Sequence, residues 1–510
     1  MTGPEPAGLA RRLAANTMHA ASGRVASLLL WLALTPPLYR ALGPEGFAVW
    51  SLFYALTGYL GALDFGLAPA TMRHVSAARA RGNDAEAGAY ATVSVVGYAV
   101  LGLLWLAVLP LVRGPLLDFL RVTGAVRPWA DFAFTAGAAV FAAAGATNTI
   151  VAVLQAYDRF DLGNATSLAV SLVQAAGLVL TLWRGWGLPG VVCSTAAGWA
   201  VAALVGLVLL RSGAPAFRWS SPRGAAGFVR ASLAYGAPLQ LANLLGVAHQ
   251  QLDKLLLARY VALAAVAPYE LGLRVSTALA TFPQLLMLAL VPTATRLLTA
   301  DDRPRLAELY RRSNRYILLV AVIVTAGAIA GADRAFEAWL GHADPPAALA
   351  LRGLMLAACA GLGAGMATVT ARGMGRPALE AEFALVALLV HLALGLPLVR
   401  THGLAGVVFA LGAGNAAGVA WFVVRLAGAL GWPRARTLLG GIAVPLAALV
   451  AGAAAGLLLD RTLPHPGGSA AWASLALVGG AAAALAAAIG LGTRYVSADE
   501  LRRLARPQPE

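Results

Sequence analysis

The chain has 510 residues, of which 59% are hydrophobic and only 12% charged, and its mean hydropathy is +0.74. A soluble domain carries about 25% charged residues, so this composition excludes a soluble enzyme and predicts an integral membrane protein. The formal net charge of +15 does not point to nucleic acid, because basic residues of membrane proteins accumulate on the cytoplasmic side.

Apolar runs long enough to cross the bilayer, about 20 residues each, recur along nearly the whole chain. Helix one is predicted near 16–39 and helix two near 47–72. The next four lie near 88–112, 129–156, 162–182 and 188–210. After a basic stretch, Arg211 to Arg230, helices seven to twelve lie near 231–258, 265–298, 314–332, 350–371, 378–399 and 404–427. Two more lie near 438–459 and 471–492, making about fourteen. The first apolar run is long and lacks a convincing small-residue cleavage site, so no cleaved signal peptide is expected. Cys193 and Cys359 both fall in predicted spans and read as small buried hydrophobes. Ser497 and Glu500 have capping-box spacing before a short arginine-rich tail expected to rest on anionic lipid.

With the N-terminus inside, 25 arginines fall on the cytoplasmic side and 10 on the other. This asymmetry predicts both termini in the cytoplasm. The chain also repeats. Gly187-Leu188-Pro189-Gly190-Val191-Val192 opens helix six, and Gly403-Leu404-Ala405-Gly406-Val407-Val408 opens helix twelve, 216 residues later. Six crossings separate the copies, so the repeat is parallel. The predicted fold is therefore an all-α polytopic membrane protein with two pseudo-symmetric six-helix lobes around a central cavity, plus two C-terminal helices. The expected divisions are an N-lobe over 1–225, a C-lobe over 226–430, helices thirteen and fourteen over 431–495, and a cytoplasmic tail over 496–510.

A charge deep in a membrane helix costs at least about 2.5–3.5 kcal/mol, so it tends to face a cavity or a partner. Helix one carries Asn16, Arg24, Ser27, Trp31 and Thr35 on one face. Helix two carries Tyr54, Thr57, Gly61, Asp64 and Thr71. Helix seven offers Gln240, Asn243, Gln250 and Lys254, with His249 and Asp253 four apart on a neighbouring face. Helix eight offers Glu270, Arg274, Thr277, Thr281 and Gln284. Arg24, Lys254 and Arg274, with Asn243 and Gln250, are the candidate substrate-binding residues. Asp64, Asp253 and Glu270 are the candidates for ion coupling. Guanidinium groups suit a diphosphate, through planar bidentate hydrogen bonds.

Blander readings stand beside these. Lys254 would snorkel from the outer end of helix seven, Asp253 would be a solvated end residue, Asp64 would help end helix two, and Glu270 and Arg274 would be a structural ion pair. His249 reads as a hydrogen-bonded packing histidine. Pro36, Pro37, Pro238, Pro283 and Pro292 mark expected bends. No Walker-type loop, H-E-x-x-H or Cys-His cluster occurs, so no ATPase, metal or other cofactor is expected, and transport is the economical function.

Leu42-Gly43-Pro44-Glu45-Gly46-Phe47-Ala48-Val49-Trp50-Ser51-Leu52, followed by Leu63-Asp64-Phe65-Gly66-Leu67, resembles the first hairpin of bacterial polysaccharide flippases. These belong to the multidrug/oligosaccharidyl-lipid/polysaccharide exporter superfamily. Gln251-Leu252-Asp253-Lys254-Leu255-Leu256-Leu257 is similar to their helix-seven motif. Tyr269-Glu270-Leu271-Gly272-Leu273-Arg274 and Val291-Pro292-Thr293-Ala294-Thr295-Arg296 are similar to their helix eight. The resemblance implies a flippase of the bacterial inner membrane. It would move a polyprenyl-diphosphate-linked oligosaccharide to the outer leaflet by alternating access, usually as an ion antiporter. The implied partners are that glycolipid, membrane lipids, and the polysaccharide polymerase and chain-length machinery. Glu270 departs from the pattern, since this position is often uncharged in such proteins. The alternatives are a drug-cation antiporter of the same superfamily, a peptidoglycan-precursor flippase, and a membrane enzyme of glycan assembly.

Overall fold

The computed structural model describes residues 6–62, 64, 66–221, 225–288, 294, 297, 302–376, 378–433 and 441–496, with most side chains from residue 26 onward. Two compact units divide the chain, Met1–Val247 and Ala248–Glu510. Among the described residues the regular structure is helical throughout. The helices are α1 (Pro6–Ala62), α2 (Leu67–Ala80), α3 (Asp84–Phe119), α4 (Arg127–Ala156), α5 (Phe160–Arg184), α6 (Gly187–Gly213) and α7 (Ala225–Tyr260), then α8 (Val266–Leu288), α9 (Arg303–Leu340), α10 (Pro345–Leu362), α11 (Gly365–Gly373), α12 (Ala378–Leu430), α13 (Ala443–Thr462) and α14 (Ser469–Gly492).

Among the described residues, nine helices are long and apolar enough to cross a membrane, or ten if the bent pair 26–62 and 67–80 counts as one span. Two of the helices hold two spans each. In α1 the backbone leaves helical geometry at Gly43 (φ 66°, ψ 175°), and in α12 at Gly403 (φ 55°, ψ −127°). Only glycine adopts such angles without strain. Counting these breaks, and taking α2 and α11 as continuations of the spans before them, gives the expected fourteen. Large apolar side chains such as Leu103, Leu111, Trp183, Val208, Phe409 and Leu458 remain exposed and form the face that lipid covers.

Helix ends differ from expectation where hydropathy marks only the bilayer core. Hydropathy predicts 314–332 for α9, but the helix starts at Arg303, because Asp302 caps it by accepting from Arg305 N at 3.1 Å. It also predicts helix two unbroken over 47–72. Instead α1 stops at Ala62 and α2 starts at Leu67 behind Gly66 (φ 70°, ψ 31°), with a bend of 40°. The expected bends at Pro36, Pro37 and Pro283 do not break the helices that contain them. Pro292 and the capping pair Ser497 and Glu500 lie outside the described residues, as does the side chain of Pro238.

In the first unit α4 is central, packing on α1, α2, α3, α5 and α6. The second unit packs α10 against α8, α9 and α12, while α13 and α14 dock on α9. That docking is a seam of small residues. A Cβ on Gly452 would lie 3.2 Å from Ala326 Cβ, and one on Gly456 only 2.4 Å from Ala330 Cβ. One turn further, Asp460 receives Arg334, so the stripe 452, 456, 460 of α13 faces 326, 330, 334 of α9 in register. Without a hydrophobic drive between helices in lipid, close packing of small residues and polar anchors holds such spans together.

The sequence repeat has a structural counterpart. Gly187 (φ 59°) and Gly403 (φ 55°) are both left-handed and each opens the sixth span of its half. A Cβ on Gly198 would meet Gln174 and the Val170 carbonyl; one on Gly414 would meet His391 and the Ala387 carbonyl. The offsets are 216 or 217 residues throughout, so the same close approach occurs in each half.

Candidate functional site

The break after α1 exposes backbone groups that apolar surroundings cannot satisfy. Side chains do so here. Asp64 Oδ1 accepts from Gly66 N at 2.8 Å, an Asx-type turn that holds the left-handed residue. Tyr98 of α3 donates its hydroxyl to Asp64 Oδ2 at 2.5 Å. Gln240 of α7 donates to Gly61 O at 3.0 Å and also to Asp64 Oδ1, and Asn243 Nδ2 donates to Gln240 Oε1 at 2.7 Å. Asp64 and Gln240 are 9% and 8% exposed, whereas Asn243 is exposed. The first unit thus holds one buried carboxyl gripped from three directions. The rest of the polar stripes on helices one and two partly face protein: Ser27 meets Ser171 of α5, and Tyr54 meets Thr195 of α6. The side chain of Arg24 lies outside the described residues.

The second unit holds two clusters on adjacent residues of α7. Lys254 Nζ lies 2.8 Å from Glu270 Oε2, and Arg274 Nε lies 3.1 Å from Glu270 Oε1. Lys254 is 3% exposed, so it turns inward to α8 and does not snorkel. Glu270 and Arg274 are the i,i+4 pair that the sequence suggests, but with a second cation on the same carboxylate. Lys254 and Glu270 are buried, and Arg274 is half-buried. Gln250 is exposed on α7.

Asp253 is fully buried and both its oxygens are used, so it is not the solvated end residue of the blander reading. Tyr269 of α8 donates to Oδ2 at 2.6 Å, and His391 Nε2 of α12 lies 2.6 Å from Oδ1. His391 Nδ1 stands 3.2 Å from His249 Nδ1, whose ring reaches on through Nε2 to Asn415 Oδ1 at 2.9 Å. Asn415 Nδ2 ends the chain on Ala357 O at 2.9 Å. His249 is therefore hydrogen-bonded, as expected of it, but within a polar chain spanning α7, α12 and α10. His391, Tyr98, Tyr269 and Asn415 are absent from the sequence-based candidates. The signal for His391 is its place in the repeat, 217 residues after Gln174, not any local motif. Among the described residues no group of three or more His, Cys, Asp or Glu side chains is disposed to hold a metal ion.

Fold and clusters define a polytopic membrane protein with ionisable groups buried among its helices. Solved structures share the architecture. A lipid II flippase MurJ in an inward closed conformation covers 96% of this chain and 99% of its own, with a TM-score of 0.70 at 11% identity. An inward-facing multidrug resistance MATE family transporter of the MOP superfamily covers 81% of this chain and 99% of its own, with a TM-score of 0.67 at 15% identity. A Vibrio cholerae MATE transporter covers 83% and 98%, with a TM-score of 0.61 at 19% identity. At these identities the likeness is one of fold. No curated protein sequence matches the chain. A family model described as polysaccharide biosynthesis protein matches residues 13–298, more than half of the sequence. The chain belongs to this polysaccharide biosynthesis family.

Proposed function

We propose that the protein is a flippase that moves a polyprenyl-diphosphate-linked oligosaccharide from the cytoplasmic to the outer leaflet of the bacterial inner membrane. The observation that carries this reading is the cluster of buried Lys254 and Glu270 with half-buried Arg274, two cations on one carboxylate. Buried cations are costly unless well matched by negative charge, and an arriving diphosphate brings that charge with the oxygen geometry that a guanidinium prefers. Family membership supports a role in surface polysaccharide synthesis. The likeness to a lipid II flippase over 96% of the chain, against 81% for a multidrug transporter, supports a glycolipid over a drug cation.

In this reading the head group meets Lys254 and Arg274, with Gln250 contributing a further polar contact, while the polyprenyl tail stays in lipid; Arg24 and Asn243 are candidate substrate contacts of the first unit. Asp64, Asp253 and Glu270 couple the movement to an ion gradient by antiport. The arginine asymmetry supports both termini in the cytoplasm. Polymerase and chain-length proteins would take the product on the outer side.

The test is surface polysaccharide on cells expressing Arg274→Ala or Lys254→Ala at matched protein levels. A lost charge-assisted bond is worth about 1.5–3 kcal/mol, so affinity and surface polymer should fall about tenfold or more. Wild-type polymer in both variants overturns the reading. Rescue of cells depleted of peptidoglycan-precursor export would assign the protein to that precursor instead.

A further inference from the structure

The chain from Ala357 to Asp253 fixes its own proton count. Asn415 donates through Nδ2 to Ala357 O, so its Oδ1 faces His249 and can only accept. His249 Nε2 must therefore carry a proton. At the other end Asp253 Oδ2 already accepts from Tyr269, and Oδ1 shares one proton with His391 Nε2, carried on the ring or on the carboxyl. Between the rings two Nδ1 atoms meet at 3.2 Å, and one of them must carry a proton for this to be a hydrogen bond. The three bonds need three protons, one more than two neutral imidazoles beside an ionised Asp253 possess.

We propose that His249, His391 and Asp253 form a proton-binding site, in which the two rings share one imidazolium balanced by the Asp253 carboxylate, and which clasps α7 to α12 only while that proton is bound. Both histidines are buried, at 7% and 0% exposure, and Asp253 is at 0%. The proton exchanges with bulk water. When it leaves, no bond within the chain replaces the one lost, and two nitrogen lone pairs oppose each other at the ring contact. The rings then separate, and with them the helix segments that carry them. The charged and titratable groups around the site come from every packed element. α7 supplies Lys254 beside Asp253; α8 supplies Tyr269, Glu270 and Arg274; α12 supplies His391 itself; α10 faces the chain with the Ala357 carbonyl. Glu270 is occupied by Lys254 and Arg274, which leaves Asp253 as the counter-charge of the imidazolium. The site takes in Asp253, an ion-coupling residue of the proposed function, and in that respect rests on that reading; it is separate from the head-group cluster and does not depend on the identity of the substrate.

The test uses full-length protein labelled with ¹⁵N-histidine in vesicles of phosphatidylethanolamine and phosphatidylglycerol, with no substrate added. Because His465 stands 2.8 Å from the Glu337 carboxylate, spectra are taken at pH 7.5 in a His465→Gln background. Solid-state NMR at that pH should show one imidazolium that is lost in His391→Gln and in Asp253→Asn. Two neutral rings in the wild-type protein, or an imidazolium that survives both substitutions, overturns the proposal. The clasp is read separately, with spin labels at Val261→Cys and Thr401→Cys in a background lacking Cys193 and Cys359. The distance distribution should gain a longer population between pH 6 and pH 9.5, and His391→Gln should abolish that pH response. A distribution identical at both pH values overturns the clasp. Neither readout involves glycan, so failure here is distinct from failure of the flippase reading.

Discussion

Tyr98 reaches Asp64 because the residue across from it has no side chain. A Cβ on Gly145 of α4 would stand 2.1 Å from Tyr98 Cγ and 2.2 Å from Cδ1. On propensity alone, Gly→Ala in a helix gains about 1 kcal/mol. Here the methyl group must displace a ring that is only 2% exposed. Overpacking costs about 1–3 kcal/mol, and loss of the Tyr98 donor to a carboxylate adds about 1.5–3 kcal/mol if that group is ionised. The steric and hydrogen-bond terms win. Gly145→Ala should lower the melting temperature of the detergent-purified protein, whereas Gly114→Ala, which meets nothing within 4 Å, should leave it unchanged or raise it. Equal melting behaviour of the two variants would show that Tyr98 has room to move. Asp64 and Gln240 can be named from the sequence because each is polar within an apolar run. Tyr98 cannot, because a tyrosine in a membrane helix is ordinary until its hydroxyl is seen on a carboxyl 34 residues away.

At the scale of helices, the number of spans is legible because hydropathy is a property of a 20-residue window. The breaks are less so. Gly43 and Gly403 each turn the chain within one residue, and no loop of polar residues announces them. The seam between α9 and α13 is written plainly, in Gly452 and Gly456 at i,i+4 and in Ala326, Ala330 and Arg334 at the same step. Only the pairing is missing from the sequence, since the two stripes lie 126 residues apart at Arg334 and Asp460. The arginine asymmetry treats Arg334 as a residue beyond the membrane core, yet its side chain is 1% exposed. Besides the Asp460 carboxylate it donates to the carbonyls of Asp460, Leu463 and Pro464 at 3.0, 3.1 and 2.9 Å. This fork anchors the end of α13, and lysine could not reproduce it. Next to it the seam tolerates no bulk. Gly456→Leu should undock α13 and show as loss of the monodisperse peak in size-exclusion chromatography and a lower melting temperature. Gly480→Leu on α14, where a Cβ meets nothing within 4 Å, should behave as wild type. If both variants elute as wild type, packing of small residues does not hold these two helices to the rest of the unit.

Across the whole molecule, each unit contains a buried aspartate that receives a tyrosine hydroxyl, Asp64 from Tyr98 and Asp253 from Tyr269. In the second unit buried Lys254 and half-buried Arg274 also share Glu270. The net positive charge of the sequence therefore has two parts: many arginines near span ends, and Lys254 and Arg274, which are held by Glu270. That carboxylate competes with any anion for the same two cations, which leads to opposite effects of one substitution. Glu270→Gln removes the competitor and leaves two cations in low dielectric without that carboxylate. Breaking a buried pair in this way costs about 3–5 kcal/mol, so the variant should melt well below the wild-type protein. The same vacancy should draw in an anion, so inorganic diphosphate should raise the melting temperature of Glu270→Gln more than that of wild type. Adding Lys254→Ala should remove most of that gain, because the second cation is then gone. A diphosphate response equal in wild type, Glu270→Gln and the double variant would mean that the anion binds elsewhere, and that Glu270 serves only to neutralise its neighbours.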